Sequence, residues 1–331
     1  MFKKILIYGE NWEGTLPRLL LDDLKSKNYH VEIFDFTDVL PGIKNRSLSE
    51  RIKRRLFGSF YNKIINEMFT KKVQVFKPDV IIVAKGLNLS KATLEKINSF
   101  GIYLLNWNPD DFFNLKNSNR QLIDTIPSYD LIVSSRFHLS EKYSQFGAKD
   151  FFFLDWYYVP DLHFNHFAKK SINASFVGSW SPRREEFIYN LNTQFNIWGG
   201  GWSKASSKFR NKHIVNNQIL SQKQMSYVFN SSVYNLNLLT HENSDLSNLR
   251  FFEVTASSGL LLTERNDIAK SYLTDEVDCL MFNDENDLNA IFLKKYNLEQ
   301  ITLNGFNKIT EGKNSFTDRV DSLLDYLKQK L

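Results

Sequence analysis

The stretch "SVYNLNLLTHENSDLSNLRFFEVTASSGLLLTE", Ser232–Glu264, carries one complete structural unit. An apolar run reaches Leu239, a polar segment follows, a helical pattern runs from Leu249, and after Gly259 a second apolar run ends on Thr263-Glu264. Short continuous apolar runs closed by turn residues suit buried strands. Ser247 or Asn248 supplies the oxygen that an N-cap needs, and Gly259 is expected to stop the helix. Two strands joined through a helix run parallel, because only a crossover returns the chain to the same end of the sheet.

The same alternation runs through the whole chain. Strands are expected at Lys3–Gly9, at "HVEIFDF" from His30, at Asp79–Lys85, Gly101–Trp107 and Tyr129–Ser135, and a sixth at Asp150–Trp156, with helical patterns between them. The pattern restarts with "NASFVGS", Asn173–Ser179, and continues through "FNIWGGG", "SVYNLNL", "GLLLTE" and "DCLMF". Strands alternating with helices, and apolar on both faces, mean an open parallel α/β sheet. At 331 residues the chain suits two such domains. The stretch Val159–Ser171 is polar, carries a proline and has no period, so the expected division is 1–165 and 166–331, with an amphipathic helix closing the second part, capped by Ser315 or Thr317.

Composition narrows the class. Hydrophobic content of 42% and charged content of 24% describe a folded globular chain. Cys279 is the only cysteine, so no intrachain disulfide framework or cysteine metal site exists. No run of about 18 apolar residues occurs, and the N-terminus lacks the features of a secretory signal. These features give the expectation of a cytoplasmic protein. The formal charge of +5 and pI of about 9.0 favour anionic partners without choosing among them.

Ligands of open α/β sheets bind at the carboxyl ends of the strands, where helix N-termini point free N–H groups. Arg250 lies in the first turn of the helix that Ser247 or Asn248 caps, and Glu253 is one turn on along the same side. A diphosphate at the helix N-terminus and a ribose hydroxyl pair on Glu253 would satisfy both. The spacing equally suits a plain surface i,i+3 ion pair. Gly178 ends one strand ahead of Arg183 and Arg184, and Gly199, Gly200 and Gly201 end another, where backbone can approach a ligand. In the first half, "GENWEG" from Gly9 to Gly14, Lys85-Gly86, and Asn108–Asp111 occupy strand ends. No H-x-x-x-H or similar metal-ligand cluster is present.

Four stretches carry a family resemblance: "KPDVIIVAKGLNLSKATLEKI", "LLNWNPDDFFN", "SFVGSWSPRREEFI" and "LRFFEVTASSGLLLTE". They resemble GT-B glycosyltransferases, within them the CgeB-like, spore-maturation-type branch, close to glycosyltransferase family 1. The resemblance implies two Rossmann-like domains whose parallel sheets face a central cleft. It implies sugar transfer from a nucleotide-sugar donor to a glycan, lipid-linked or other cell-surface acceptor, hence a role in polysaccharide biosynthesis at the cell envelope. No cofactor or metal is expected. Arg250 would meet the donor diphosphate and Glu253 the ribose, with Asn248, Gly178, Arg183 and Gly200 nearby. Many retaining members carry two glutamates eight positions apart. Here the first position holds Asp245, a shorter carboxylate, so retention is left open. Gly14, Lys85 and Gly86 would face the acceptor, and Asp111, Asp110 and Glu13 are the candidates for a catalytic base. A GT-B-type nucleotide-sugar epimerase and a non-catalytic nucleotide- or glycan-binding protein are the other readings of the same scaffold.

"IKNRSLSERIKRRLFGSFYNKIINEMFTKK", Ile43–Lys72, is strongly cationic and carries apolar residues at helical spacing, with a break at Gly58. Such a helix either lies on an anionic membrane surface or packs on the core with a solvated basic face. Nothing around it resembles a nucleic-acid-binding module.

Overall fold

The computed structural model describes residues 2–40, 48–114, 118–239 and 247–331. Among the described residues twelve strands form two six-stranded sheets in which every pairing is parallel. The first sheet contains β1 (Lys4–Tyr8), β2 (His30–Phe34), β3 (Val80–Ala84), β4 (Tyr103–Trp107), β5 (Leu131–Ser134) and β6 (Phe151–Phe153), in the order β2-β1-β3-β4-β5-β6. The second contains β7 (Ile172–Val177), β8 (Asn196–Trp198), β9 (Ile214–Val215), β10 (Ser232–Asn237), β11 (Leu261–Glu264) and β12 (Leu280–Phe282), in the order β12-β11-β10-β7-β8-β9.

Each order reverses once. From β1 the chain first goes to β2 on one side, then to β3 and outward on the other; from β7 it goes to β8 and β9, then to β10 on the far side. The reversals between β1 and β3 and between β7 and β10 are topological switch points, where the connecting helices lie on opposite faces and leave a crevice.

The helices are α1 (Leu16–Ser26), α2 (Leu48–Leu56), α3 (Gly58–Phe76), α4 (Lys91–Asn98), α5 (Arg120–Asp124), α6 (Ser140–Gln145) and α7 (Pro182–Tyr189). Then follow α8 (Ser207–Lys212), α9 (Gln222–Ser231), α10 (Leu249–Ala256), α11 (Asp267–Tyr272), α12 (Glu285–Leu293), α13 (Leu298–Glu311) and α14 (Phe316–Lys330). Their starts follow local chemistry. Ser181 caps α7 ahead of Pro182, and Ser221 with Gln224 forms a capping box on α9. Ser315 caps α14: its hydroxyl accepts from the Asp318 N–H at 3.1 Å, and the Asp318 carboxylate returns to the Ser315 N–H at 2.9 Å.

Eleven of the strands lie where the apolar runs place them; the two-residue β9 has no such run and escapes detection. The apolar alternation explains the second core. Leu236, Leu262, Leu280 and Phe282 pack on one face of the second sheet, while Leu261 and Met281 join Phe251, Phe252 and Val254 of α10 on the other.

The contacts divide the chain into a first unit, Met1–Asp155 with Val320–Leu331, and a second, Trp156–Arg319. Residues 156–165, which the sequence reading assigns to the first domain, make their contacts in the second. Tyr158 pairs with Ser315 and His163 faces Gln222. The closing helix α14, assigned wholly to the second domain by sequence, begins there and ends in the first unit, where Tyr326 donates to Asp150 at 2.5 Å.

Candidate functional site

The switch point of the second sheet holds the residues singled out at the opening stretch. Asn248 caps α10: its Oδ1 accepts from the Phe251 N–H at 3.1 Å, and its Nδ2 donates to Asn237 Oδ1 at 2.9 Å, at the end of β10. The helix ends in a Schellman arrangement. Ser258 adopts φ 53°, and the Ser258 and Gly259 N–H groups return to Thr255 and Val254. The left-handed residue is Ser258, with Gly259 directly after it. Gly259 is needed for space, since a Cβ there would lie 2.9 Å from Asn235 Nδ2 and from the Phe229 carbonyl oxygen.

Within this frame Arg250 turns back across the end of the sheet. Its Nε donates to the Val177 carbonyl at 3.2 Å, its guanidinium lies 5.1 Å from the Phe229 ring centroid, and Nη1 pairs with Glu253 Oε2. It is an i,i+3 pair, as the spacing allows, but it is not a surface one: Glu253 is only 3% exposed. The other carboxylate oxygen lies 3.7 Å from Nε2 of His163. His163 Nδ1 accepts from the Val159 N–H at 3.0 Å, which leaves the proton of the neutral ring on Nε2, facing Gln222 Oε1 at 3.3 Å. Burial lowers the His163 pKa and the Glu253 carboxylate pulls it partly back. Burial and the same carboxylate raise the Tyr157 hydroxyl.

A second charged knot closes the strand ends. Glu264 Oε1 accepts from Arg183 Nη2 at 2.6 Å, its Oε2 accepts from the Leu239 N–H at 2.5 Å, and Arg183 Nη1 donates to the Leu239 carbonyl at 3.1 Å. Arg184 donates to the carbonyls of Ser179 and Leu238 at 2.9 and 3.2 Å. Both arginines thus tie the turn after β7 to the end of β10. Gly178 is built into this turn: its N–H donates to the Trp198 carbonyl and its own carbonyl accepts from Trp202 Nε1, at 2.9 and 2.8 Å. Gly199 has φ 134°, and a Cβ there would stand 2.1 Å from the Gly178 oxygen. Gly200, the member of the triplet singled out from sequence, has open space around it, with Ile219 Cδ1 the nearest atom at 3.8 Å. Asp245 lies outside the described residues.

The switch point of the first sheet opens as a cavity of about 300 Å³ lined by Glu10, Pro17, Phe36, Lys85, Leu87 and Asp110, among others. Lys85 Nζ pairs with Asp110 Oδ2 at 2.5 Å. Lys85 and Gly86 both take positive φ, 64° and 87°, which turns the chain sharply off β3 and aims Lys85 at the strand ends. Asp110 is held by its own N–H donating to Asn108 Oδ1 at 3.0 Å. Asp111 is half-buried, and its Oδ1 accepts from the Phe113 N–H at 2.7 Å, a turn-forming role outside the cavity lining. Glu13 is exposed, and Gly14, with φ 78°, belongs to the turn into α1; neither lines the cavity.

The carboxylate that does line it is Glu10, directly after Gly9, together with Lys85 and Asp110. Burial raises its pKa, the Asp35 carboxylate raises it further, and Lys85 opposes them. Inspecting the residues around each strand's carboxyl end would have found Glu10, two past β1, and Glu264, the last of β11. His163 lies in a stretch without period and offered no such signal.

Residues 183–325 match a family model described as glycosyl transferase-like. The chain carries a glycosyltransferase domain. Solved structures extend the likeness over both units. Sucrose-phosphate synthase from Thermosynechococcus elongatus aligns with TM-score 0.71 at 10% identity, covering 99% of this chain and 98% of its own. HepE from Anabaena, in complex with UDP, gives TM-score 0.62 at 9% identity, covering 98% of this chain and all of its own. A UDP-forming α,α-trehalose-phosphate synthase from Burkholderia xenovorans gives 0.66 at 12% identity, covering 99% of each chain. The fold is that of GT-B glycosyltransferases. No curated protein matches the sequence. Among the described residues no helix is long and apolar enough to cross a membrane. Nor do three His, Cys, Asp or Glu side chains there gather as a metal site requires.

Proposed function

We propose that the protein transfers a glycosyl group from a nucleotide-sugar donor to a hydroxyl-bearing acceptor, with the donor held at the β7–β10 switch point. The observation that carries this is the Glu253 carboxylate. It is buried beside a helix N-terminus, fixed by Arg250 and faced by His163, on a domain of glycosyltransferase type. A buried, oriented carboxylate one turn behind a helix start suits a ribose diol. The N-terminal amides of α10 and the guanidinium of Arg250 suit the diphosphate. In the proposed reaction these groups stabilise the leaving diphosphate without a divalent metal, by charge already in place. The relatives solved with UDP or described as UDP-forming make UDP the first nucleotide to try.

The four family-like stretches support the CgeB-like branch and, with it, a cell-envelope glycan or lipid-linked acceptor. The α2–α3 region supports docking on an anionic bilayer: Ile52, Leu56, Phe57 and Phe60 are exposed beside Arg55 and Lys63. Co-sedimentation with phosphatidylglycerol vesicles, lost in a Phe57→Ser/Phe60→Ser variant, is the expected result there.

The donor site is tested by thermal shift against UDP, GDP, dTDP, ADP and CMP. One nucleotide should stabilise the wild type, by about 2.7 kcal/mol at a hundredfold excess over Kd, and should fail to stabilise Glu253→Gln. Stabilisation of both proteins alike would remove Glu253 from the site. No shift with any nucleotide would overturn the donor reading.

A further inference from the structure

The cavity at the first switch point supports an inference that rests on the donor–acceptor reading above and narrows it. In an open α/β sheet this position, next to a helix N-terminus, commonly receives a phosphate. Three features oppose an anion here. Glu10 lies two residues past β1, its half-buried carboxylate lines the cavity, and among the described residues none donates a hydrogen bond to it. Lys85, the cation that lines the cavity, is already paired with Asp110 at 2.5 Å. Finally, Pro17 in the first turn of α1 lacks an N–H, and the Thr15 hydroxyl bonds the Glu10 and Trp12 carbonyls instead of capping that helix.

What remains is a small space with two carboxylates, one ammonium and apolar walls at Pro17, Phe36 and Leu87. Carboxylates accept from O–H groups, an ammonium donates to hydroxyl oxygen, and apolar side chains suit the C–H faces of a ring. A phosphate would meet the Glu10 carboxylate, which Lys85 only partly offsets, in a partly desolvated site where like charges repel most strongly. We infer that the cavity binds an uncharged, hydroxyl-rich unit, the sugar or polyol end of the acceptor, with Glu10 and Asp110 accepting its hydroxyl hydrogens and Lys85 donating to it. Burial of Glu10, which raises its pKa, is consistent with a carboxylate set to hold a hydroxyl and not a cation.

The test is saturation-transfer NMR on the full chain with glucose, galactose, mannose and N-acetylglucosamine, and with glucose 6-phosphate and mannose 6-phosphate as charged counterparts. At least one neutral sugar should receive saturation, and its phosphorylated form should bind at least tenfold more weakly. Glu10→Gln should lose most of that discrimination while keeping the wild-type circular dichroism. Equal or tighter binding of the phosphorylated sugar overturns the inference. So does unchanged discrimination in Glu10→Gln, or the absence of signal from every neutral sugar. The donor reading is scored separately by the nucleotide shift that depends on Glu253. A sugar failure with that shift intact defeats this inference alone, and a lost shift with sugar binding intact defeats the donor reading alone.

Discussion

The two switch points share a topology and treat charge differently. In the first unit the Lys85 and Asp110 side chains are 30% and 35% exposed and line a cavity. In the second, the Glu253 side chain is 4% exposed, Arg250 is 20% exposed, and the pair is braced by Asn248, Val177, Phe229 and His163. Parallel strand order alone therefore sets where a ligand can go, not what it meets there. Depth of burial decides how far a carboxylate that can meet a ligand is also a fixed part of the framework. If this is the distinction, perturbing the second switch point should cost folding stability as well as binding, and perturbing the first should mainly cost binding.

The largest difference is expected at the glycines. Gly199→Ala places a Cβ 2.1 Å from a backbone oxygen at a φ that L residues rarely adopt, so neither atom can yield cheaply. Its loss of stability in urea should exceed about 4 kcal/mol, in the range reserved for gross strain. Gly86→Ala in the first unit meets the Tyr129 hydroxyl at 2.8 Å, the end of a side chain, and should cost about 1–3 kcal/mol. Gly200→Ala, with open space beside it, should stay within about 0.5 kcal/mol. Equal losses at Gly199 and Gly200 would show that the turn after β8 is not rigid in this way.

Arg250→Ala comes next. It leaves the Glu253 carboxylate buried without its cation, beside His163 and Tyr157. Removing one partner of a buried pair costs 3–5 kcal/mol in general, and because Arg250 is partly exposed the lower end, about 3 kcal/mol, is expected. Adding Glu253→Gln removes the orphaned charge and should recover at least about 1 kcal/mol, a coupling that a double-mutant cycle reads directly. A single-mutant loss below about 1 kcal/mol would make the pair an ordinary surface one.

Acid should also act mainly on the second unit. His213 is 2% exposed, and its Nδ1 accepts from the Phe195 N–H at 3.2 Å. Burial, helped by Lys212, lowers its pKa to about 4. Since the unfolded value is about 6.5, the unfolded state takes up the proton first as pH falls. The stability from this neutral histidine is complete above about pH 6.5 and shrinks as pH falls toward the folded value, by roughly 3 kcal/mol in all. Urea midpoints at pH 7, 5.5 and 4 should show the decline, and His213→Asn should flatten it. An unchanged slope in that variant would assign the acid sensitivity elsewhere. In the first unit, His138 is also lowered by burial, but it is exposed and should contribute less.

These contrasts also mark what could be read in advance. Eleven of the strands and their parallel sense follow from apolar runs that need only local pattern, and Asn248, Arg250 and Glu253 follow from helix-end chemistry. The partnership of His163 with Glu253 depends on residues ninety positions apart, and no periodicity encodes it. Glu10 and Glu13 differ by three positions in the same turn. Which of them faces the cavity depends on how Gly9 packs against Pro17, where a Cβ would come within 2.3 Å. Gly200 could not be told from Gly199 because the distinction is a dihedral angle, not a residue type.

A small effect is the sharpest test of the comparison. Asp110→Asn removes the charge opposite Lys85 but keeps the side-chain shape. The turn beneath survives, because the Asp110 N–H still donates to Asn108 Oδ1 and the Lys85 N–H still donates to the Trp107 carbonyl. Pairs this exposed contribute about 0–1 kcal/mol, so the urea midpoint should move by less than about 1 kcal/mol. If the cavity is a hydroxyl-binding site, binding of the neutral sugar should weaken severalfold in the same variant, since an amide accepts less strongly than a carboxylate. Stability and binding would then separate at the first switch point, whereas at Arg250 they should fall together. A folding loss at Asp110 as large as that of Arg250→Ala would mean that burial is not what distinguishes the two sites.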